Sequence, residues 1–260
     1  MTRRRVVVVA NDDDLKLVRL FAGRRDRFFE KLADGLDLRG AHLSGVDLRY
    51  ADLSDADFEG AYLNNVHLEL TTLSGTNFKR AHLERVFLNG ADLDETDFSE
   101  ATFKGVDLTG VHFGGCNLTD ADLKEALNLH LATFYGAILV GVYFAGRDLT
   151  GVNFEGVDLS GCDLSCANLR GATLHDAILE GADLTDTDLT GALLDRANFK
   201  GADLSGAILR EADLYMTNFS GAHFESTKLD GAKVLETVFD ADMIPRIEAL
   251  IEHGVVKGWL

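Results

Sequence analysis

The stretch Ala182-Asp183-Leu184-Thr185-Asp186-Thr187-Asp188-Leu189-Thr190-Gly191-Ala192-Leu193-Leu194-Asp195-Arg196 reads in fives. Each block runs small residue, polar residue, Leu or Phe, then two mostly polar residues. A spacing of five fits neither the 3.6 of a helix nor the 2 of a plain strand. It fits a chain that turns a corner every five residues. The central Leu or Phe and the small residue two before it then point inward, and the other three face water.

Followed outward, the phrase fills most of the 260 residues. In the first half the centres run without interruption from Leu38 and Leu43 through Phe58, Phe78 and Phe98 to Leu123. After Leu123 the next centres are Leu129 and Phe134, so one extra residue enters, and we place it in Lys124-Glu125-Ala126. A bulge or small bend is expected there. The fives then continue to Phe239. Arg147 occupies an inward, small-residue position. A buried guanidinium is costly, so it is expected to escape by a local distortion or to pair with a carboxylate.

In these fives the chain resembles the pentapeptide-repeat family, whose motif is Ala-Asp/Asn-Leu-X-X, over Leu36 to Ala241. The resemblance implies an all-β solenoid, a right-handed quadrilateral β-helix with four fives per coil. The chain carries its own check on that number. Phe58, Phe78 and Phe98 recur every twenty residues, and so do Phe199, Phe219 and Phe239. Equivalent residues of successive coils then stack at the usual strand spacing of about 4.8 Å.

Both ends depart from the repeat. Residues 1–34 read as an N-terminal cap: a short strand at Val6–Val9, a helix capped by Asn11, and a second short helix through Phe28, Phe29 and Leu32. A solenoid needs such a cap to hide its open ladder. The repeat occupies 35–241. The segment 242–260 reads as a helix over 243–253, with Pro245 in its first turn and Ile244, Ile247, Leu250 and Ile251 on one face. Gly254 stops it, and an apolar tail containing Trp259 follows. These residues close the last coil, or join it to a second copy as a homodimer.

Composition narrows the function. The formal net charge is −18, which disfavours direct binding to nucleic acid. No apolar run is long enough to span a membrane. Arg3-Arg4-Arg5 before Val6 to Ala10 imitates a signal peptide, but the apolar run is short and ends in Asn11-Asp12-Asp13-Asp14. Three cysteines, Cys116, Cys162 and Cys166, lack metal-ligand spacing and suit a reducing compartment. The protein is read as cytoplasmic.

No catalytic constellation, phosphate loop or cofactor motif stands out, and the chain is not read as an enzyme. His42, Tyr62 and His82 share one face at coil spacing. The two histidines lie about 10 Å apart, too far to share a metal ion. The carboxylates are more informative. Over 35–240 there are 34 acidic and 14 basic residues, an excess of 20. Asp recurs just before the centre. With twenty residues per coil, Asp163, Asp183 and Asp203 form a vertical row, with Asp122 and Tyr143 below. Asp148 and Asp188 flank Asn168 on the next face. Stacked like charges oppose folding, so a tolerated row suggests a partner surface; the other reading is that Asp at this position simply follows the repeat motif.

The resemblance implies a specific partner. Quinolone-resistance members form rod-like dimers joined through C-terminal elements, and bind DNA gyrase or topoisomerase IV in place of the DNA segment. The acidic repeat, the length and the C-terminal helix match. The long protruding loops of some of those members are absent here, so loop-based activity is not carried over. The alternative is a general scaffold or regulatory rod whose partner is not a topoisomerase.

Overall fold

The structure is a computed structural model that describes residues 35–252 and 255–256. The N-terminal cap and Trp259 lie outside the described residues. Two compact units are present, one ending at Leu127 and the other beginning at Asn128.

The five-residue corner comes first. The N–H of most inward small residues donates to the preceding centre's carbonyl, as Ala41 does to Leu38 at 2.9 Å and Ala192 to Leu189 at 3.0 Å. This closes a four-residue turn whose third residue has positive φ, as a type II turn requires. Glycine serves there often, but so do Asp55 (φ 61°), Arg80 (φ 57°) and Asp186 (φ 56°).

Corners are then tied coil to coil. In the first unit β1 (His42–Ser44), β2 (Tyr62–Asn64), β3 (His82–Glu84) and β4 (Thr102–Lys104) form one parallel sheet. Its register pairs Leu43 with Leu63, Leu63 with Leu83 and Leu83 with Phe103. The other faces pair through single parallel bridges at the same offset of twenty, such as Asp37 with Asp57 and Asp47 with His67. The second unit is built the same way, by bridges such as Asp163 with Asp183 and Asn168 with Asp188. Each coil is thus four fives, and each unit is a quadrilateral β-helix.

The inside is a dry column. Phe58 stacks on Phe78 at 4.7 Å between ring centroids, and Phe78 on Phe98 at 5.1 Å. In the second unit Phe199 meets Phe219 tilted by 31° at 5.1 Å, and Phe219 stacks on Phe239 at 5.4 Å. Each buried Leu or Phe contributes roughly 1.5–3 kcal/mol before entropy is subtracted. Thr at the small inward position stays satisfied. Its hydroxyl donates to the carbonyl of the centre 23 residues earlier, as Thr187 does to Leu164 at 2.7 Å. Cys116 and Cys162 place Sγ on Leu93 and Leu139 carbonyls in the same way.

Two expectations are corrected or refined. The extra residue does not sit in 124–126. Ala126 N–H still closes its turn on Leu123, and Leu127 N–H still reaches Val106 at 2.8 Å. The count of five breaks one step later, at Asn128 (φ 56°), which leads a 3-10 turn over Leu129–Leu131 and leaves Leu129 buried. The earlier turn is disturbed locally: Gly105 N–H reaches Glu125 rather than Lys124, and Glu125 does not take the left-handed backbone of the regular corners. Arg147 keeps regular backbone. Its N–H donates to Phe144 at 3.0 Å and its carbonyl accepts from Asn168 at 2.9 Å, while its side chain is only partly buried.

The second unit ends in α1 (Ile244–Glu252). Ile247 is fully buried against the last coil, Leu250 and Ile251 are half-buried, and Ile244 stays exposed. Arg246 donates to the Phe224 and Thr227 carbonyls at 3.2 and 3.3 Å, and Gly231 N–H reaches Val255. The segment therefore caps open carbonyls of the terminal coil.

The corners give a direct test. A Cβ on Gly206 (φ +74°) would run into Asp186 Oδ1 of the coil before it. Gly206→Ala is expected to cost about 1–3 kcal/mol, from the left-handed backbone alone upward. Gly161→Ala, where the φ is +64° and the space is open, is expected to cost less. Chemical denaturation of the two variants reads the difference.

Candidate functional site

The position before each centre lies on a flat face, and its side chain points away from the core. Asp fills it for a local reason. In the second unit Asp163 Oδ1 accepts the Ser165 N–H at 3.0 Å, Asp183 Oδ1 the Thr185 N–H at 2.9 Å, and Asp203 Oδ1 the Ser205 N–H at 2.9 Å. The same bond is made by Asp148 to Thr150 and by Asp188 to Thr190. In the first unit Asp122 makes it to Lys124. All six candidate carboxylates thus brace a corner as Asx turns. Asn does so equally well at Asn117, Asn153 and Asn218.

The row itself forms as expected from Tyr143 upward. Tyr143, Asp163, Asp183, Asp203 and His223 are successive bridge partners on one ladder of the second unit. Asp122 belongs to the first unit, on the ladder of β4 with Thr102, and its carboxylate pairs with Lys124 at 2.7 Å. Asp148, Asn168, Asp188, Ile208 and Lys228 form the neighbouring ladder of the second unit.

The two ladders differ in how their charge is answered. Asp188 Oδ2 takes Arg170 at 3.1 Å, and Asn168 lies 3.5 Å from Asp148 Oδ1. Among the described residues no ion pair involves Asp163, Asp183 or Asp203. Their rungs are about 4.8 Å apart. Ser205, through its hydroxyl and then its N–H, holds the Asp203 carboxyl below the ordinary carboxylate range. Thr150 does the same to Asp148. At Asp188 burial pushes upward, but the Thr190 hydroxyl and N–H and the Arg170 guanidinium outweigh it.

Other clusters are simpler. His42, Tyr62 and His82 stack as expected, with centroids 4.7 and 4.5 Å apart. Among the described residues no three His, Cys, Asp or Glu side chains converge on a metal-binding geometry. No described helix is long and apolar enough to cross a membrane. Cys116 and Cys162 are buried, and burial pushes the Cys116 thiol up to about 12. A cleft of about 270 Å³ between the last coil and α1 is lined by Phe224, Glu225, Asp242 and Arg246 among others. Its arginine is already engaged with the terminal carbonyls.

Two features escaped the sequence reading. His175 lies between Asp195 and Arg196, and Arg196 also grips Asp176 at 2.7 and 2.8 Å. The twenty-residue offset from Asp176 to Arg196 was the available signal. The second is a set of exposed apolar side chains on the first coil of the second unit, among them Tyr135, Ile138 and Tyr143. Its signal is that residues 126–146 hold no Asp, Glu, Lys or Arg.

Comparison with known proteins agrees with this geometry. A family model described as pentapeptide repeats, in 8 copies, matches residues 34–65, 137–176, 177–214 and 197–234. One described as a pentapeptide repeat region matches 76–154. No curated protein matches the chain. Among solved structures, HetL from the cyanobacterium Nostoc sp. strain PCC 7120, a pentapeptide repeat protein involved in heterocyst differentiation regulation, is 30% identical. The match covers 84% of this chain and 94% of HetL, with a TM-score of 0.43. A pentapeptide repeat protein of the Arabidopsis thaliana thylakoid lumen is 32% identical over 44% of this chain and 80% of its own, with a TM-score of 0.34. QnrB1, a plasmid-mediated fluoroquinolone resistance protein, is 23% identical over 71% of this chain and 82% of its own, with a TM-score of 0.37.

The corner role of the carboxylates predicts a split between two substitutions. Asp183→Ala removes an acceptor and is expected to cost about 1 kcal/mol, whereas Asp183→Asn keeps it and leaves the melting temperature unchanged. Acid acts on the same bonds. Because Asp148, Asp188 and Asp203 titrate below their ordinary value, their contribution is complete above about pH 4 and is lost as pH falls through the lower folded values. A melting temperature that is flat from neutrality and falls below about pH 4 is the expected profile. A rise on acidification would mean that repulsion along the row outweighs the corner bonds.

Proposed function

The chain belongs to the pentapeptide-repeat family, with its right-handed quadrilateral β-helix, and from that premise we propose that it is a non-enzymatic interaction protein whose acidic faces take the place of DNA on a protein partner. The observation that carries this reading is the ladder Asp163–Asp183–Asp203, three successive rungs of carboxylate with no ion pair among the described residues. Each carboxylate is held in place by its corner bond, so the charges are arranged before a partner arrives.

The charge density supports it. An excess of 20 acidic residues over 35–240 is about two per twenty-residue coil. With a coil rise of about 4.8 Å, that is one net negative charge per roughly 2.4 Å, against about 1.7 Å of axis per charge in duplex DNA. The most specific form of the proposal is binding to DNA gyrase or topoisomerase IV, as an inhibitor or as protection against fluoroquinolones, in a reducing, cytoplasmic setting. Exposed Ile244 and half-buried Leu250 and Ile251 on α1 are the residues through which a homodimer would form.

A second reading has its own support. Exposed Tyr135, Ile138 and Tyr143 have no counterpart in a phosphate backbone, and they favour a scaffold or regulatory role with another protein partner.

Supercoiling by purified gyrase tests the first reading. The expected result is inhibition, or protection from a fluoroquinolone, that is lost in the triple variant Asp163→Asn, Asp183→Asn, Asp203→Asn. Asn preserves the corner bonds, so loss of effect reports charge rather than fold. No effect of the wild-type protein at about a hundredfold molar excess over gyrase sinks the topoisomerase reading.

A further inference from the structure

We propose that the first coil of the second unit is a docking surface for a basic protein segment that also carries apolar side chains. This deepens the interaction reading above and rests on it. The coil presents Leu131 (49% exposed), Tyr135 (73%), Ile138 (47%) and Tyr143 (45%) to solvent. Tyr135 sits on a corner, and Ile138 and Tyr143 sit on adjacent faces, with half-buried Val140 at the corner between them. In most fives of this chain those outward positions are polar. Contiguous exposed apolar side chains on an otherwise charged surface mark interaction sites.

The flanking charge selects the occupant. Ile138 is bridged to Asp158 and Tyr143 to Asp163 on the next rung, about 4.8 Å away. Glu155 lies at the corner one coil above Tyr135. Beyond them, Ile178 continues the Ile138 ladder, and Asp183 the Tyr143 ladder. A partner lying along the axis therefore meets apolar groups first and unanswered carboxylates next. A second copy of this chain would bring acid against acid, which costs affinity. An anionic lipid surface would be repelled for the same reason. A segment with Arg or Lys spaced among Leu-like residues answers both features, with aromatic anchors and charge-assisted bonds in one contact.

Two fluorescein-labelled peptides test this against the full chain: one of Arg interspersed with Leu, and one with every Leu replaced by Ser. The expected result is that the Arg/Leu peptide binds at least about tenfold more tightly, a difference of roughly 1.4 kcal/mol. That advantage should be kept at about 0.5 M salt, where exposed charge pairs are screened. The triple variant Tyr135→Ser, Ile138→Ser, Tyr143→Ser should lose the advantage while still binding the Arg/Ser peptide at low salt. These side chains point outward, and an unchanged melting curve confirms that the variant is folded. The variant Asp163→Asn, Asp183→Asn, Asp203→Asn should weaken both peptides. Equal binding of the Arg/Leu peptide by wild type and the Ser variant overturns the docking surface but leaves the acidic-face reading standing. No binding of either peptide overturns both. A concentration-dependent dimer abolished by the Ser substitutions identifies a second copy as the occupant, and also overturns the proposal.

Discussion

The structure depends on one hydrogen bond repeated in register within each unit: the N–H of a centre to the carbonyl of the outward residue nineteen positions on. Leu184 makes it to Asp203, and Leu164 to Asp183, both at 2.7 Å. It is a parallel-ladder bond, but it closes over a whole coil rather than between long strands. Nineteen is one coil less a residue, so a change of count interrupts the ladder, as it does at Asn128. A corner early or late turns an inward Leu to water and an outward Asp to the core. Regularity here is therefore a condition of burial, and the fives follow from it.

That condition has a consequence for charge. In-register stacking sets every side chain above its own kind of position, so a favourable residue at one position becomes a column of that residue. Phe gains by this, since stacked rings attract. Asp does not, since rungs about 4.8 Å apart repel. Asp persists because its Oδ1 accepts a corner N–H two residues on, a bond Asn also supplies. The column on Asp163, Asp183 and Asp203 uses the charged version at three successive rungs where the neutral one would serve. The adjacent ladder shows the usual remedies, with Asn168 between two Asp and Arg170 against Asp188. The contrast between the ladders, more than the total charge, is what the proposed partner face rests on.

Much of this was legible in the sequence, for a definite reason. A period of five with Phe at twenty is a one-dimensional signal, and the ladder converts it directly into position. What failed was local. In Ala126-Leu127-Asn128-Leu129 either Leu could serve as a centre, so the extra residue could be placed on either side of Ala126. The structure turns Leu127 outward, because its N–H is needed by Val106, and gives Asn128 the left-handed corner. Asn enters that region at lower cost than most residues. The bracing of corners by Asp was not legible from periodicity, because it is a contact of two residues within one five. The apolar coil was visible as missing charge, but its exposure follows only once each outward position is known.

The last coil shows how the same ladder is stopped. An open coil end is a row of unpaired carbonyls and N–H groups, and copies of it could stack without limit. In the outward position before the centre, Lys occurs at Lys228 and Lys233 alone, both on that coil, and His223 ends the acidic column. Lys233 pairs with Asp213 one rung below at 2.9 Å. Lys233 thus answers the last carboxylate of its ladder, while Lys228 stands one rung above Ile208. Arg246 then takes two of the exposed carbonyls. Had Asp stood at position 233, it would face Asp213 one rung below, with the repulsion of the middle and without the packing that outweighs it. The change from Asp213 to Lys233 at the final rung is therefore the mark of an end, where a cation closes its ladder and α1 covers the carbonyls beside it.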